Sequence, residues 1–280
     1  EKTATSVIGY PLMKEGLLLS AVNTVIDHPK SKKRINMILI GPAGLDKTGF
    51  LYAATELVPH SSFEGAQSSS GLSLTAIVVF EDDTKILSLG PIPRCQGAIC
   101  AINELNRMNP KDQGQLLDAT QEGMISLNKY NTNAKIRSST TIIASANPTG
   151  EDWEDGVPIL DQVNIIPQLL DRFDLKFILK KNRDFEASRK YAELKSLDII
   201  NDNNQEQLEK QRKDTEFLQK YILYAKQFKP QVTEEARHML NEFFAVFEYT
   251  NPISKRPFET LYNLAFARAK LKFKNEVDAT

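Results

Sequence analysis

Over roughly the first 183 residues, segments whose apolar and polar positions are typical of strands alternate with segments typical of helices. Short apolar runs that predict buried strands cover residues 37–40 and 98–102, and the apolar-rich segments 140–145 and 173–179 predict two more. Patterns typical of helices lie among them at residues 12–25, 48–55 and 113–121. Alternating strands and helices predict an α/β fold whose parallel sheet is covered by helices on both sides.

Two further segments favour hairpins rather than buried strands. Residues 74–80 and 85–89 are rich in β-forming residues and are separated by the polar turn 81–84. Residues 124–136 form a second such pair with a polar tip. The stretch from Gly65 to Ser73 is rich in serine and glycine, so we expect a loop there.

Beyond residue 183 the strand patterns stop. Helical patterns cover residues 185–197, 206–227, 233–247 and 255–272. Thr233 precedes Glu234 and Glu235, a combination that fits a capped helix start with favourable dipole charges. The sequence therefore predicts two domains, an α/β core over residues 1–183 and a small all-helical domain over residues 184–280.

Composition narrows the possible partners. The 35 basic and 36 acidic residues nearly cancel, so any contact with DNA needs a local basic surface. Cys95 and Cys100 have no neighbouring cysteine or histidine cluster, which favours buried thiols over zinc or a disulfide. The sequence has no signal peptide and no apolar run long enough for a bilayer, so we expect no membrane partner and a cytoplasmic location, or a nuclear one in a eukaryote.

The run 37–40 leads into a glycine-rich turn that ends in Lys-Thr before a helix. This layout is typical of a phosphate-binding loop, and its candidate nucleotide-binding residues are Gly41, Pro42, Ala43, Gly44, Leu45, Asp46, Lys47 and Thr48. Lys47 would bind the terminal phosphates and Thr48 would bind Mg²⁺. Asp46 stands where the usual spacing has a second glycine, and a carboxylate beside phosphates is electrostatically unfavourable.

Polar residues also follow the next buried runs. Asn103 and Glu104 end the run 98–102, Asn147 follows the run 140–145, and Arg172 precedes the run 173–179. A nucleoside triphosphatase needs a carboxylate for metal and water, a polar group near the γ-phosphate and often an arginine from a neighbour. The chain offers a candidate for each role in the expected order.

Six segments together resemble the minichromosome maintenance (MCM) family of AAA+ helicases. Residues 97–108 are similar to its Walker B stretch, 144–148 to sensor 1, 169–175 to its arginine-finger signature, 253–259 to sensor 2, 74–76 to its helix-2 insert, and 125–129 to its presensor-1 hairpin. The resemblance implies an AAA+ three-layer parallel-sheet P-loop NTPase core with two β-hairpin inserts, followed by the helical lid. The family's N-terminal domain and C-terminal winged helix have no counterpart in the sequence.

The resemblance also implies a function and its residues. It predicts an ATP-dependent DNA helicase motor, a hexameric ring of identical or related MCM subunits that hydrolyses ATP with Mg²⁺ at subunit interfaces and moves along DNA in a central channel. The implied roles are catalytic for Lys47, Glu104, Asn147, Arg172 and Arg256, metal-binding for Thr48, Asn103 and Glu104, and DNA-binding for Lys129. Arg172 and Arg256 would reach the site from the neighbouring subunit.

Departures from the family pattern keep other functions open. At four positions this sequence differs from the residue that the family normally has. Asn103 replaces an aspartate, Asp46 a small residue, Asn131 a glycine and Ser139 an arginine. Because Asn103 and Asp46 lie in the nucleotide site, a ring subunit that binds nucleotide but hydrolyses it slowly or not at all is a second hypothesis. An AAA+ remodeller of protein substrates is a third, and the match at 125–129 argues against it.

Overall fold

A parallel sheet forms the centre of the protein in the computed structural model, which describes residues 9–24, 33–66, 71–81, 84–121, 123–129, 132–181, 185–201, 205–250 and 256–279. The elements in chain order are α1 (Pro11–Val22), β1 (Met37–Ile40), α2 (Lys47–Leu57), β2 (Ser62–Gly65), α3 (Gly71–Thr75), β3 (Ala76–Glu81), β4 (Thr84–Leu89), α4 (Pro91–Arg94), β5 (Ile99–Asn103), α5 (Pro110–Gln121), β6 (Met124–Lys129), β7 (Thr132–Arg137), β8 (Thr141–Ala146), α6 (Pro167–Leu170), β9 (Leu175–Ile178), α7 (Phe185–Asn201), α8 (Gln205–Ala225), β10 (Gln231–Val232), α9 (Glu234–Thr250), α10 (Arg256–Leu271) and β11 (Glu276–Val277).

Within those ranges the sheet has five parallel strands in the order β2-β5-β8-β1-β9. In β1 the four consecutive residues Met37–Ile40 are all fully buried. Since successive side chains of a strand point to opposite faces, both faces of the sheet are covered there. Helices α1 and α2 supply part of that cover. The predicted α/β fold is confirmed.

The strand order brings the candidate residues to one edge. Strands β1, β5 and β8 are neighbours, with Ile38 beside Ala144 and Ala144 beside Ile102. Gly41, Glu104 and Asn147 follow directly on the carboxyl ends of these three strands. Because the strands are parallel, the three residues lie at the same edge of the sheet, where ligands bind in this class of fold.

Both predicted hairpins are present, as the antiparallel pairs β3-β4 and β6-β7. Leu74 and Thr75, however, belong to α3 and not to the first strand. The predicted loop over residues 65–73 is wrong at its ends, since Gly65 closes β2 and α3 begins at Gly71. Leu74 is fully buried, and α3 packs against α5, so tertiary contacts favour a helical turn there.

The segment beyond residue 184 is helical, as predicted, with α7 to α10 in the described residues. The predicted cap forms, because the Ala236 N–H donates to Thr233 Oγ1 at 3.2 Å. One small addition was not predicted: β10 and β11 pair in parallel. Lys270 Nζ donates to Asn23 Oδ1 at 2.8 Å and joins α10 to the end of α1. The proposed domain boundary at residues 183–184 stays a prediction, and it falls in a gap of the described ranges.

Two smaller findings complete the fold. Cys95 and Cys100 are buried free thiols, as the sequence predicts. Among the described helices, none has the length and the apolar character that crossing a membrane would require.

Candidate active site

A cleft of about 360 Å³ lies at the carboxyl edge of the sheet. It is lined by Ala43, Gly44, Leu45, Asp46, Lys47, Thr48, Asn103, Glu104, Ser145, Asn147 and Tyr191. The structure therefore brings the predicted loop and the residues after β5 and β8 into one cavity. Ser145 and Tyr191 are additions that the sequence did not single out, while Gly41 and Pro42 are buried at the base of the loop.

The loop is held close to the neighbouring strand. A Cβ at Gly41 would lie 2.7 Å from Leu179 Cβ and 2.8 Å from Leu179 O, so only glycine fits there. The Trp153 indole N–H donates to the same Leu179 carbonyl at 2.7 Å. Trp153 thus anchors the chain segment against which the loop turns.

Lys47 is the first residue of α2 and is only 7% exposed. Its Nζ donates to Gly41 O at 2.7 Å and to Pro42 O at 2.6 Å. Burial lowers the Lys47 pKa to about 8, and the nearby Glu104 partly offsets this effect. The ammonium group is thus held inside the loop by two carbonyl groups.

Free backbone donors accompany this lysine. The first intrahelical bond of α2 runs from the Phe50 N–H to Asp46 O at 3.1 Å. The N–H groups of Lys47, Thr48 and Gly49 come before it and have no carbonyl partner within the helix. Such groups at a helix start bind anions, and phosphate most of all.

Ser145 organises the end of β5. Its hydroxyl donates to Asn103 Oδ1 at 2.7 Å and accepts from the Glu104 N–H at 3.0 Å. Thr48 Oγ1 lies 3.4 Å from the same Asn103 Oδ1. The hydroxyl of Thr48 and the amide of Asn103 therefore lie next to each other in the cleft, and Ser145 fixes the position of Asn103.

Glu104 and Asn147 complete this wall. The Glu104 carboxylate is 3.3 Å from Arg107 Nε, and both side chains are partly exposed, so the ion pair is weak. Glu104 has a φ of 58°, a left-handed conformation that is costly for a residue with a Cβ and is often found at functional sites. The Asn147 N–H donates to Asn106 Oδ1 at 3.0 Å, while Asn147 itself lines the cleft.

The oxygen atoms at this wall fit a hard divalent cation such as Mg²⁺. Thr48 Oγ1 and Asn103 Oδ1 are close enough to share an ion, and oxygen is the ligand atom that Mg²⁺ prefers. Glu104 could add a full negative charge beside these oxygens, and Asp46 is a second carboxylate that lines the cleft. In the described part of the chain no cluster of three or more His, Cys, Asp or Glu residues could hold a metal, so an ion in the cleft would depend on phosphate oxygens.

The two arginines with predicted roles lie together, away from this cleft. Arg256 Nη2 donates to Arg172 O at 2.7 Å, and Arg256 Nε is 3.5 Å from Asp174 Oδ1. Asp174 also accepts from the Asn36 N–H and from Thr260 Oγ1, each at 2.8 Å, and burial raises its pKa. Arg172 and Arg256 do not line the cleft of their own chain.

Lys129 is the last residue of β6, where it pairs with Thr132 beside the hairpin tip. The structure does not describe its side chain, and Asn131 lies outside the described residues, as do residues 253–255 of the segment similar to sensor 2. Ser139 is buried, and its carbonyl accepts from the Gly97 N–H at 2.9 Å.

Comparisons with known proteins cover both parts of the chain. A family model described as the MCM P-loop domain matches residues 1–196, and a model described as the MCM AAA-lid domain matches residues 216–280. The chain is 27% identical over 291 residues to the maternal DNA replication licensing factor mcm6 of Xenopus tropicalis, with 97% of this chain and 35% of the relative covered. It is 29% identical over 288 residues to the minichromosome maintenance protein MCM of Saccharolobus solfataricus, with 98% and 41% covered. The chain thus spans well under half the length of these curated relatives.

Proposed function

This chain belongs to the MCM family, and we propose that it is an ATP-binding motor domain that hydrolyses ATP with Mg²⁺ and acts on DNA during replication. The observation that carries the proposal is the single cleft that joins Lys47, Thr48, Asn103, Glu104 and Asn147. A helix N-terminus with a buried lysine suits a polyphosphate, and oxygen ligands beside it suit the metal. The domain would act where the DNA lies, in the cytoplasm or, in a eukaryote, in the nucleus.

Each residue at the cleft has a defined role in this proposal. Lys47 exchanges its bonds to the Gly41 and Pro42 carbonyls for bonds to phosphate oxygens. Thr48 and Asn103 would hold Mg²⁺, which would supply positive charge to neutralise the phosphates during transfer. Glu104 accepts a proton from the attacking water, for which it must leave Arg107. Asn147 orients that water near the γ-phosphate.

Arg172 would complete the site of a neighbouring subunit, since it does not line the cleft of its own chain. Arg256 holds the carbonyl of Arg172, so we propose that both act on the same neighbour. Mixing Arg172→Ala subunits with Lys47→Ala subunits should therefore recover part of the ATP turnover that each variant lacks alone, because some mixed interfaces contain one intact site. No recovery in mixed rings that are proven to form would contradict action between subunits.

The pKa of Lys47 makes nucleotide affinity depend on pH. Because burial lowers this pKa to about 8 and phosphates bind the protonated lysine, affinity should fall as pH rises through about 8, approaching tenfold per pH unit above it. Titrations with ADP between pH 7.5 and 9.5 measure this, in a range where the phosphates have already ionised. Binding should also take up protons, which calorimetry in two buffers detects. A flat affinity across this range would contradict the role of Lys47.

Lys129 is the proposed DNA contact, because it ends β6 at the hairpin tip and the net charge of −1 gives the chain no general attraction to DNA. Lys129→Ala should lower the magnitude of the log–log salt slope for single-stranded DNA by about 0.7 for each phosphate that the protein no longer neutralises. Lys210→Ala, which removes an exposed lysine from α8, is the matched control. Identical slopes for Lys129→Ala and the wild type would leave Lys129 without this role.

A second candidate function is a ring subunit that binds ATP but hydrolyses it slowly or not at all. The observation in its favour is Asn103, whose neutral amide stands at the proposed metal position. ATP binding without turnover, in rings that assemble and contact DNA, would be the signature of this function.

A further inference from the structure

Asp46 brings a carboxylate to the start of α2, where phosphates would bind. It is the N-cap residue of this helix, yet its side chain makes no capping hydrogen bond. Its φ of 53° is left-handed, a conformation that asparagine and aspartate tolerate better than most residues with a Cβ. The cleft wall therefore includes an acidic group that does not serve as a helix cap.

Gly49 provides the space for this carboxylate. A Cβ at Gly49 would lie 2.5 Å from Asp46 Oδ1, so one of the two atoms would have to shift. The carboxylate thus lies against the first turn of α2, beside the N–H groups that have no partner within the helix. Any larger residue at position 49 would push the carboxylate from this position, so Asp46 and Gly49 form a matched pair.

We propose that Asp46 is a specificity-determining residue that lies beside the anion position at the start of α2 and weakens the binding of phosphate-bearing ligands in proportion to their charge. This inference rests on the proposed function, because it concerns the same loop. A carboxylate and a phosphate repel each other over the few ångströms available at one helix start. Burial disfavours the charge of the Asp46 carboxylate and raises its pKa, and the attraction of the nearby Lys195 offsets this cost only in part.

The test measures the affinities of adenosine, AMP and ADP for the full-length wild-type protein and for Asp46→Asn, with and without Mg²⁺. Asparagine keeps the shape and the left-handed conformation and removes only the charge. We expect ADP to bind about tenfold more tightly to Asp46→Asn, AMP less so, and adenosine equally. Asp46→Gly should bind ADP at least as tightly as Asp46→Asn, since it also relieves the left-handed conformation.

Glu56→Gln is the matched control, because it removes one exposed carboxylate from the far end of the same helix. It should leave all three affinities unchanged. Gly49→Ala tests the pair by melting temperature: alanine should raise it less in the wild type, where the Asp46 carboxylate must move aside, than in Asp46→Gly, where alanine simply favours the helix.

Three results would overturn the proposal. Equal ADP affinities of the wild type and Asp46→Asn would mean that the carboxylate does not oppose phosphate. Weaker ADP binding to Asp46→Asn, above all with Mg²⁺, would mean that the carboxylate helps to hold the ligand. If no variant binds ADP, or if Lys47→Ala binds it as well as the wild type does, the proposed nucleotide site fails and this inference fails with it.

Discussion

Replacing Asn103 with aspartate should raise ATP turnover by about tenfold or more, because a full charge at the metal should lower the activation barrier. A decrease of about 1.4 kcal/mol in that barrier raises the rate tenfold. Asn103 Oδ1 lies 3.4 Å from Thr48 Oγ1 and supplies oxygen without charge. A full negative charge about 4 Å from a cation contributes on the order of 4 kcal/mol near a protein surface before solvent and salt reduce it. The hydroxyl of Ser145, which donates to Asn103 now, would donate equally well to aspartate.

Steady-state turnover at saturating ATP and Mg²⁺ measures this effect. Asn241→Asp is the matched control, since it adds the same charge on α9, which does not line the cleft. The oxygen of residue 241 accepts from the Tyr262 hydroxyl at 2.8 Å, a bond that aspartate preserves. If Asn103→Asp folds and its turnover equals that of the wild type, Asn103 does not limit the reaction.

Replacing Lys47 with alanine should weaken ATP binding by at least about 100-fold, since each charge-assisted hydrogen bond contributes roughly 1.5–3 kcal/mol. The ammonium group already makes two hydrogen bonds inside the loop, so it is positioned for phosphate oxygens before any ligand arrives. Among the described residues, no other lysine or arginine lines the cleft. Its removal therefore leaves only backbone N–H groups to bind the phosphates.

Calorimetric titration with ATP and Mg²⁺ measures this effect. Lys111→Ala, which removes an exposed lysine from α5, should bind ATP as the wild type does. Melting curves of both variants show whether the loop change unfolds the protein. An unchanged ATP affinity in folded Lys47→Ala would reject the assignment of residues 41–48 as a phosphate-binding loop.

The sheet and the cleft wall could be predicted from the sequence because each signal is local. The segments that became β1, β5 and β8 are short and rich in apolar residues; a glycine-rich loop follows β1, and the polar residues Glu104 and Asn147 follow β5 and β8. Parallel strands place their carboxyl ends at one edge, so these polar residues had to meet. By contrast, β2 has one large apolar residue, Phe63, followed by the poor strand formers Glu64 and Gly65, and it lies at the sheet edge, where pairing with β5 decides its conformation.

The rest depends on pairings between distant parts of the chain. Nothing in the run 140–145 indicates that the hydroxyl of Ser145 will bond to both Asn103 and the Glu104 backbone. The hydrogen bond from Arg256 to the Arg172 carbonyl joins residues 84 positions apart. Asp46 and Gly49 are close in sequence, but their contact requires the left-handed φ of Asp46. The sequence pattern alone does not specify that φ.

The most direct test of the central claim is ATP turnover by the assembled full-length protein with and without single-stranded DNA, with Lys47→Ala as the blank. The cleft geometry and the neutral Asn103 predict turnover that is slow and disappears in Lys47→Ala, and the proposed action on DNA predicts that turnover rises when DNA is added. Turnover that persists in Lys47→Ala, or that is the same with and without DNA, would contradict a DNA-dependent motor that works through this cleft.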